Sequence, residues 1–210
     1  MRLHVPNNPV RITWDRLKEL AGKESEAGRR KAQDKHDGWR RPAYKISGTW
    51  TLQSKGTGKQ AAIAVPPDLM RELADLFFDF DNIAIDMEWV GPRNKDALRE
   101  RYGREYHGLR IFDIMYLNGQ WLGNMPLSER WANLVTIYEL CRAKRPEAAK
   151  RILLVRTWDA DWDKMFEETM KDPLLEGIVL KRSDSLLYES SDNPYWFKVK
   201  YRDIHEATKF

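Results

Sequence analysis

The segment Lys35-His36-Asp37-Gly38-Trp39-Arg40 combines residue types that suit phosphate chemistry. A lysine amine is a nucleophile only in its neutral form, which neighbouring cations and desolvation favour. Arg40 supplies a cation whose planar fork suits a phosphate or a ribose oxygen. An Asp-Gly pair is also an ordinary turn in a charged loop. The segment alone therefore does not decide between a nucleophile and a surface turn.

An acidic strand follows about fifty residues later. The segment Ile83–Val90 alternates so that Ala84, Asp86, Glu88 and Val90 share one face and larger apolar residues share the other. Two carboxylates on an otherwise hydrophobic strand are hard to explain by solvation alone. We interpret them as functional.

Two further charged strands are predicted near the C-terminus. Glu176–Lys181 is an apolar strand bracketed by an acid and a base. Trp196–Lys200 is a strand whose alternation places Lys198 and Lys200 on the same face. Like charges on one strand face are unfavourable unless an anion lies opposite. The pattern therefore predicts an anion site.

The elements that position these residues follow from apolar periodicity and turn signals. Capping and start signals predict four amphipathic helices: Thr13 before Trp14–Gly22, Pro66-Pro67 before Leu69–Phe77, Ser128 before Trp131–Tyr138, and Asp161 before Trp162–Thr169. Further strands are expected in a hairpin over Gly38–Lys55 that turns at Ser47-Gly48-Thr49, in Leu109–Tyr116 followed by an Asn118-Gly119 turn, and in Ile152–Val155. Residues 1–12 are expected to form a surface lead-in, 23–31 an exposed connector and 91–108 a charged loop.

Composition limits the classes of protein that fit. The chain has 210 residues, of which 42% are hydrophobic and 32% charged, as expected for one globular domain with a substantial core. A single cysteine excludes a disulfide framework and a cysteine metal cluster. With no long apolar run or signal-peptide pattern, we expect a cytoplasmic protein without a membrane partner. The net charge of +4 permits a polyanionic partner without requiring one.

Taken in order, the charged segments resemble the motifs of covalent nucleotidyltransferases, and most closely those of the ATP-dependent DNA ligases. Lys35–Arg40 resembles the nucleophile motif, Ile85–Glu88 the acidic strand motif and Phe112-Asp113-Ile114 the aromatic motif. Leu127–Arg130 is similar to the helix start that follows in ligases. Glu176–Lys181 and Trp196–Lys200 resemble the last two motifs of the catalytic domain. The resemblance runs from residue 35 to residue 200, and its strength lies in the order of six motifs.

The resemblance implies a role for each matching residue. Lys35 would attack the α-phosphorus of ATP and hold AMP as a phosphoramidate, with Arg40, Lys198 and Lys200 in the catalytic set. The nucleotide-binding set would be Gln33, Asp34, Arg40, Glu88, Phe112, Lys181, Lys198 and Lys200, with Phe112 stacking on adenine and Gln33 reading its amino group. Glu88 and Glu176 would hold Mg²⁺ or Mn²⁺.

Two lysines raise specific questions. Lys55 stands where ligases usually carry an arginine that contacts the 5′-phosphate of a nick, and lysine lacks the bidentate fork. Lys45-Ile46-Ser47-Gly48 resembles the looser nucleophile motif of some RNA ligases. We favour Lys35 as nucleophile, because Lys45 lacks the accompanying aspartate and arginine and lies within the predicted hairpin.

The implied fold is an α+β nucleotidyltransferase domain, ATP-grasp-like, with two antiparallel sheets flanked by helices and no OB-fold domain. We expect residues 1–30 to be a lead-in and helix and 31–210 to be the catalytic domain. The implied activity is ATP-dependent sealing of 5′-phosphate/3′-hydroxyl nicks in duplex DNA by a monomer, with a separate OB-fold or DNA-binding protein as a candidate partner. An RNA ligase of the same superfamily and a non-catalytic nick- or end-binding module remain open as alternatives.

Overall fold

The computed structural model describes residues 7–23, 26, 28–54, 64–91, 107–172, 175–188, 192–201 and 204. These residues form helices and two sheets, which confirms the expected α+β class. The chain divides into two compact units. The seven-stranded unit consists mainly of Gly38–Met125 and Glu129–Leu154, and the five-stranded unit mainly of Asn7–Asp37 and Val155–Phe210. No helix in the described ranges is long and apolar enough to cross a membrane.

The elements are numbered along the chain. The strands are β1 (Asn8–Arg11), β2 (Arg30–His36), β3 (Trp39–Arg40), β4 (Ala43–Ile46), β5 (Thr49–Leu52), β6 (Ile83–Val90), β7 (Gly108–Leu117), β8 (Gln120–Trp121), β9 (Ile152–Leu154), β10 (Thr157–Trp158), β11 (Leu175–Arg182) and β12 (Asp192–Lys200). The helices are α1 (Trp14–Ala21), α2 (Pro67–Leu76), α3 (Leu127–Lys144) and α4 (Trp162–Thr169).

The five-stranded sheet has the order β1-β12-β11-β2-β10, in which only the β1–β12 pair is parallel. One face packs against helices α1 and α4, because alternate residues of the strands are apolar. The resulting core includes Leu17, Ala32, Phe166, Ile178, Leu180 and Val199. The side chains between these positions therefore lie on the opposite face of the sheet.

The seven-stranded sheet has the order β5-β4-β6-β7-β8, with β3 also paired to β6 and β9 parallel to β7. Strand β6 alternates as predicted. Ile83, Ile85, Met87 and Trp89 belong to the apolar core, which also contains residues of α2 and α3. Asp86 and Glu88 lie on the other side of the strand.

A buried ion pair joins β7 to helix α3 within this unit. The Arg130 guanidinium donates to both carboxylate oxygens of Asp113 at 3.0 Å and to the Met125 carbonyl oxygen at 2.6 Å. The side chains of Arg130 and Asp113 are 0% and 1% exposed. Removing one member would leave a charge buried without its partner, so the pair fixes how α3 attaches to the sheet.

Most predicted elements are present, including the amphipathic helix α1 capped by Thr13 and the turn predicted at Ser47-Gly48-Thr49, in which Ser47 and Gly48 form the turn and Thr49 begins β5. Four details were wrong. Residues 8–11, expected in a surface lead-in, form β1, which lies along β12. Arg30 and Lys31, expected in an exposed connector, begin β2. The first arm of the hairpin predicted over Gly38–Lys55 is divided into two strands, β3 and β4.

The fourth error concerns the start of α3, which begins at Leu127 and not after a Ser128 cap. The backbone N–H groups of Leu127 and Ser128 donate to the carbonyl oxygens of Ser185 and Ser183. The start of the helix is therefore satisfied by backbone carbonyls and does not need a capping side chain. The predicted loop over 91–108 lies almost entirely outside the described residues.

Candidate active site

The candidate nucleophile lies in a row of three residues across the five-stranded sheet. Lys35 on β2 is opposite Gly177 on β11, and Gly177 is opposite Lys200 on β12. The register of β11 shifts between Leu175 and Gly177, so that Glu176 is an extra residue in the strand. Such a β-bulge redirects a side chain out of the normal alternation. Here it brings the Glu176 carboxylate to the face that carries both lysines.

Only glycine fits at position 177. Its φ of +147° is rarely adopted by other residues. A Cβ built there would lie 1.9 Å from the Val199 carbonyl oxygen and 2.9 Å from the Lys200 Cα. The close approach of β11 to β12 and the bulge at Glu176 therefore both depend on the missing side chain.

The Glu176 carboxylate binds both lysines. One oxygen forms an ion pair with Lys35 Nζ, and the other accepts a hydrogen bond from Lys200 Nζ at 2.6 Å. Burial would raise the pKa of Glu176, but the two ammonium groups outweigh it and the pKa is lowered. The carboxylate is therefore held in its ionised form between two cations.

Lys198 adds a third cation to this face, one row away. It is opposite Val179, which in turn is opposite Gln33 on β2. Burial lowers the pKa of Lys198, and the charges of Lys35 and Lys200 lower it further. The Gln33 side chain is buried and donates to Thr157 Oγ1 at 3.5 Å. The sequence-predicted residues Gln33, Lys35, Glu176, Lys198 and Lys200 are thus brought together in one unit.

Two other predicted nucleotide-binding residues of this unit, Asp34 and Lys181, lie outside the row of Lys35, Gly177 and Lys200. Asp34 is on the helix-covered side of β2, in the row of Ile178 and Val199, and its carboxylate pairs with Arg156. Lys181 is buried farther along β11, with its Nζ 4.3 Å from the centre of the Trp196 ring. Asp34 thus faces away from the Lys35–Glu176–Lys200 cluster, whereas Lys181 shares the face of the cluster but lies two rows farther along the sheet.

In the seven-stranded unit, Arg40 contacts two other candidate motifs. Its guanidinium binds the Asp86 carboxylate in a bidentate manner, with Nε to Oδ1 at 2.9 Å and Nη2 to Oδ2. Its Cζ lies 5.3 Å from the centre of the Phe112 ring. The sequence indicated that both Asp86 and Glu88 are functional, but a specific role was assigned only to Glu88. The sequence signal for the Arg40–Asp86 pair was the alternation of β6, which places the Asp86 side chain on the same face as Glu88.

Glu88 fixes the turn that follows the nucleophile motif. Its Oε1 accepts a hydrogen bond from the Gly38 backbone N–H at 2.9 Å. A Cβ at Gly38 would lie 2.4 Å from the Trp89 carbonyl oxygen, so glycine allows β3 to approach β6 closely. The contact of Glu88 is to the protein backbone, which leaves its predicted roles in nucleotide and metal binding as proposals.

Of Lys45 and Lys55, the two lysines that raised questions in the sequence, only Lys45 lies among the described residues. Lys45 is buried, and its Nζ donates to the carbonyl oxygens of Phe77 at 3.1 Å and Phe78 at 3.3 Å. These carbonyls follow the end of α2, where helices leave acceptors without intrahelical donors. Lys45 therefore has a structural role at this helix end. Lys55 lies outside the described residues.

The described residues contain no group of three or more His, Cys, Asp or Glu side chains able to hold a metal ion. Mg²⁺, however, is usually bound by one or two carboxylates together with substrate phosphates. Glu176 fits such a shared site, because it is ionised and lies on the face of three lysines that suit a polyphosphate. The residues thus fit a metal that binds together with a nucleotide, and not a closed protein cage.

These features define a nucleotidyltransferase-type fold with a lysine cluster suited to phosphate. Residues 19–200 match the family model described as the ATP dependent DNA ligase domain, and the chain belongs to that family. It is 28% identical over 186 residues to DNA ligase 2 of Methanosarcina mazei, covering 79% of this chain and 31% of that protein. It is 32% identical over 95 residues to DNA ligase 4 of Candida glabrata, covering 44% of this chain and 9% of that protein. The chain thus spans less than a third of these relatives.

Solved structures show the same fold. The ligase domain of M. tuberculosis LigD matches 94% of this chain and 59% of its own, with a TM-score of 0.66 and 22% identity. A mycobacterial DNA ligase D complexed with ATP and MES matches 94% of this chain and 60% of its own, with a TM-score of 0.67 and 21% identity. At this level of identity the likeness establishes the architecture.

The first prediction concerns the close approach at Gly177. We expect Gly177→Ala to lower the free energy of unfolding by at least about 3 kcal/mol, at the upper end for single substitutions, because its Cβ collides with the β12 backbone. Gly48→Ala is the matched control, since Gly48 also has a positive φ, of +80°, but a Cβ there meets nothing within 4 Å. It should cost about 1 kcal/mol. Equal losses in urea denaturation would show that the collision at Gly177 is relieved.

The second prediction concerns pH. The pKa of Glu176 is lowered in the folded protein, so the folded state binds fewer protons than the unfolded state at this group. The resulting stabilisation of the folded state is fully present above the ordinary glutamate pKa of 4.5, and it is lost as the pH falls through the lowered pKa of Glu176. Wild type should therefore exceed Glu176→Gln in unfolding free energy near neutral pH, and the difference should shrink in acid. A difference that stays constant or grows between pH 6 and pH 3 would contradict this.

Proposed function

We propose that the chain is the adenylyltransferase part of an ATP-dependent DNA ligase, which forms lysyl-AMP at Lys35 and seals 5′-phosphate/3′-hydroxyl nicks in duplex DNA. The observation that carries this proposal is the cluster of Lys35, Glu176 and Lys200 around the Gly177 bulge, with Lys198 one row away. Membership of the ligase family supports the same reaction. The activity of a whole ligase remains a proposal for a chain that spans part of its relatives.

The first step joins Lys35 to AMP. The neutral Nζ of Lys35 attacks the α-phosphorus of ATP, the bond to the bridging oxygen breaks, and pyrophosphate leaves with the electron pair. The amine loses its proton as the phosphoramidate forms. Lys198 and Lys200 stabilise the negative charge that develops on the α-phosphate. An oxygen of the 5′-phosphate of the nick then attacks the phosphorus of AMP, the P–N bond to Lys35 breaks, and the amine leaves and takes up a proton. The 3′-hydroxyl next attacks the activated 5′-phosphorus and loses its proton as the phosphodiester forms, and AMP leaves with the electron pair.

The remaining residues are assigned to nucleotide recognition. Gln33 reads the adenine amino group, Phe112 stacks on the adenine ring, and Arg40 and Glu88 bind the ribose or a nearby phosphate. The bidentate Arg40–Asp86 contact supports this assignment, because it holds the guanidinium in a fixed orientation beside Phe112. Lys55 is assigned to the 5′-phosphate of the nick, and Asp34 and Lys181 to support of the nucleotide site.

A divalent ion, Mg²⁺ or Mn²⁺, would be held by Glu176 together with phosphate oxygens, and the family resemblance assigns metal binding to Glu88 as well. When bound, it neutralises phosphate charge. The Glu176 carboxylate oxygens that would bind the ion are the ones that pair with Lys35 and Lys200 in the structure described here. Nicked duplex DNA is the proposed substrate, and a separate OB-fold or DNA-binding protein is a proposed partner of the monomer.

The third prediction tests the nucleophile. After incubation with labelled ATP and magnesium, denatured wild-type protein should carry label, and Lys35→Arg should carry none, because arginine keeps the charge beside Glu176 without a reactive amine. Lys45→Met should retain most label per folded protein, since Lys45 binds helix carbonyls. Lys164→Arg, on the exposed face of α4, controls for the substitution itself. Label that survives in Lys35→Arg and disappears in Lys45→Met would assign the reaction to Lys45.

The fourth prediction tests the metal and the DNA substrate. Labelling should stop in excess EDTA and return when Mg²⁺ or Mn²⁺ is restored. Glu176→Gln should lower labelling at saturating metal by about 100-fold or more, the range seen when a group that stabilises transition-state charge is removed. Labelled protein should pass its AMP to a duplex with a 5′-phosphorylated nick but not to an intact duplex. Transfer to a nicked RNA duplex alone would favour the RNA ligase alternative.

A further inference from the structure

Arg156 binds the residue that precedes the candidate nucleophile through both its backbone and its side chain. Its carbonyl oxygen accepts a hydrogen bond from the Asp34 backbone N–H at 3.1 Å. Its Nε and Nη2 lie 3.2 and 3.3 Å from the two carboxylate oxygens of Asp34. One residue therefore holds the main chain and the side chain of Asp34 together.

The surroundings of Asp34 make this contact unusual. Asp34 shares its row and face with the fully buried Ile178 and Val199, and its own side chain is 9% exposed. Burial raises the pKa of Asp34 although Arg156 pairs with it, which shows how unfavourable this position is for a carboxylate. An apolar residue at position 34 could be buried beside Ile178 and Val199 at a lower cost in free energy.

General stability is a poor explanation for the pair. The Arg156 side chain is 45% exposed, and ion pairs with so exposed a partner contribute little to the free energy of unfolding. Strand β10, which follows Arg156, is only two residues long and forms the edge of the sheet beside β2. Because β10 pairs with β2 at only two positions, we reason that the contacts of Arg156 with Asp34 supply much of the support on this side of β2 near Lys35.

We infer that Arg156, acting through Asp34, is a positioning residue that fixes the β2 backbone immediately before Lys35 and so orients its amine. Alternation directs the Asp34 side chain to the helix-covered face and the Lys35 side chain to the opposite face. A fixed peptide at Asp34 therefore limits the directions open to the Lys35 side chain without occupying the site. This inference rests on the proposed formation of lysyl-AMP at Lys35.

The test measures single-turnover labelling of the full chain with ATP and magnesium over a range of ATP concentrations. Arg156→Met keeps much of the side-chain stem and removes the charge. We expect its rate constant at saturating ATP to fall about 10-fold, because a misplaced reacting group slows the chemical step. The apparent KM for ATP should stay within about two-fold, since Arg156 does not lie in the nucleotide site. Arg156→Lys should restore part of the rate.

Three further variants complete the design. Asp34→Asn should slow labelling, and the double variant Asp34→Asn/Arg156→Met should be no slower than the slower single variant, as expected for residues that act as one unit. Arg182→Met removes a more exposed arginine–aspartate ion pair, with Asp184, elsewhere in the same unit and should label at the wild-type rate. A purely structural role would lower the labelled fraction or the unfolding temperature without changing the rate constant.

Hydrogen exchange of the Asp34 amide gives a readout independent of the reaction. It should quicken in Arg156→Met and stay unchanged in Arg182→Met. An unchanged rate constant in Arg156→Met, or a loss explained entirely by KM, overturns the inference, as does unchanged exchange at Asp34. If wild type takes no label at all, the proposed function fails, and the exchange result alone then decides whether Arg156 fixes Asp34.

Discussion

The arrangement of the candidate site depends on the close approach of two strand backbones at Gly177. Because position 177 has no side chain, β11 can lie against the Val199 carbonyl and accommodate an extra residue at Glu176. In a regular strand, Glu176 would face the apolar core, since its neighbour in the Lys35 row faces the other way. The bulge reverses this and places the carboxylate between Lys35 and Lys200. A local exception to strand geometry thus creates the charge arrangement of the site.

The cluster on this face carries more positive than negative charge, with three lysines, Lys35, Lys198 and Lys200, around the one carboxylate of Glu176. Glu176 binds two lysines, and Lys198 is close enough for both to lower its pKa. The sheet tolerates this because its other face packs against α1 and α4, so the fold does not depend on the lysine face for its core. A surface with excess positive charge at short range has a strong affinity for a polyanion. The repulsion among the lysines is therefore a cost that a bound phosphate removes, which links the stability of this face to its proposed ligand.

The sequence was sufficient for features that depend on neighbouring residues and insufficient for those that depend on distant ones. Helix α1, with its Thr13 cap, and the Ser47-Gly48 turn follow from local propensity, and the alternation of β6 follows from its own residues. Strand β1 has four residues and forms through parallel pairing with β12, which its sequence does not indicate. The candidate site was predicted largely through ordered motifs, whereas the Arg40–Asp86 pair and Arg156 became apparent only when strand register was known. Spacing along the chain reports the residue types of a site but not which of them touch.

Two lysines ten positions apart show why contacts, and not motifs, distinguish a nucleophile from a structural residue. The Lys45 ammonium donates to two backbone carbonyls at the end of α2, so an attack on phosphorus would break both hydrogen bonds, although the Phe77 carbonyl also accepts from the Phe80 backbone N–H. Lys35 instead pairs with a carboxylate that also binds Lys200, and Glu176 therefore keeps a cationic partner when Lys35 moves away. Releasing Lys35 breaks one of the two ion pairs of Glu176, whereas releasing Lys45 breaks two hydrogen bonds to carbonyls at the end of α2. The contacts of the two amines thus support Lys35 over Lys45 as the proposed nucleophile, independently of the motif in which it lies.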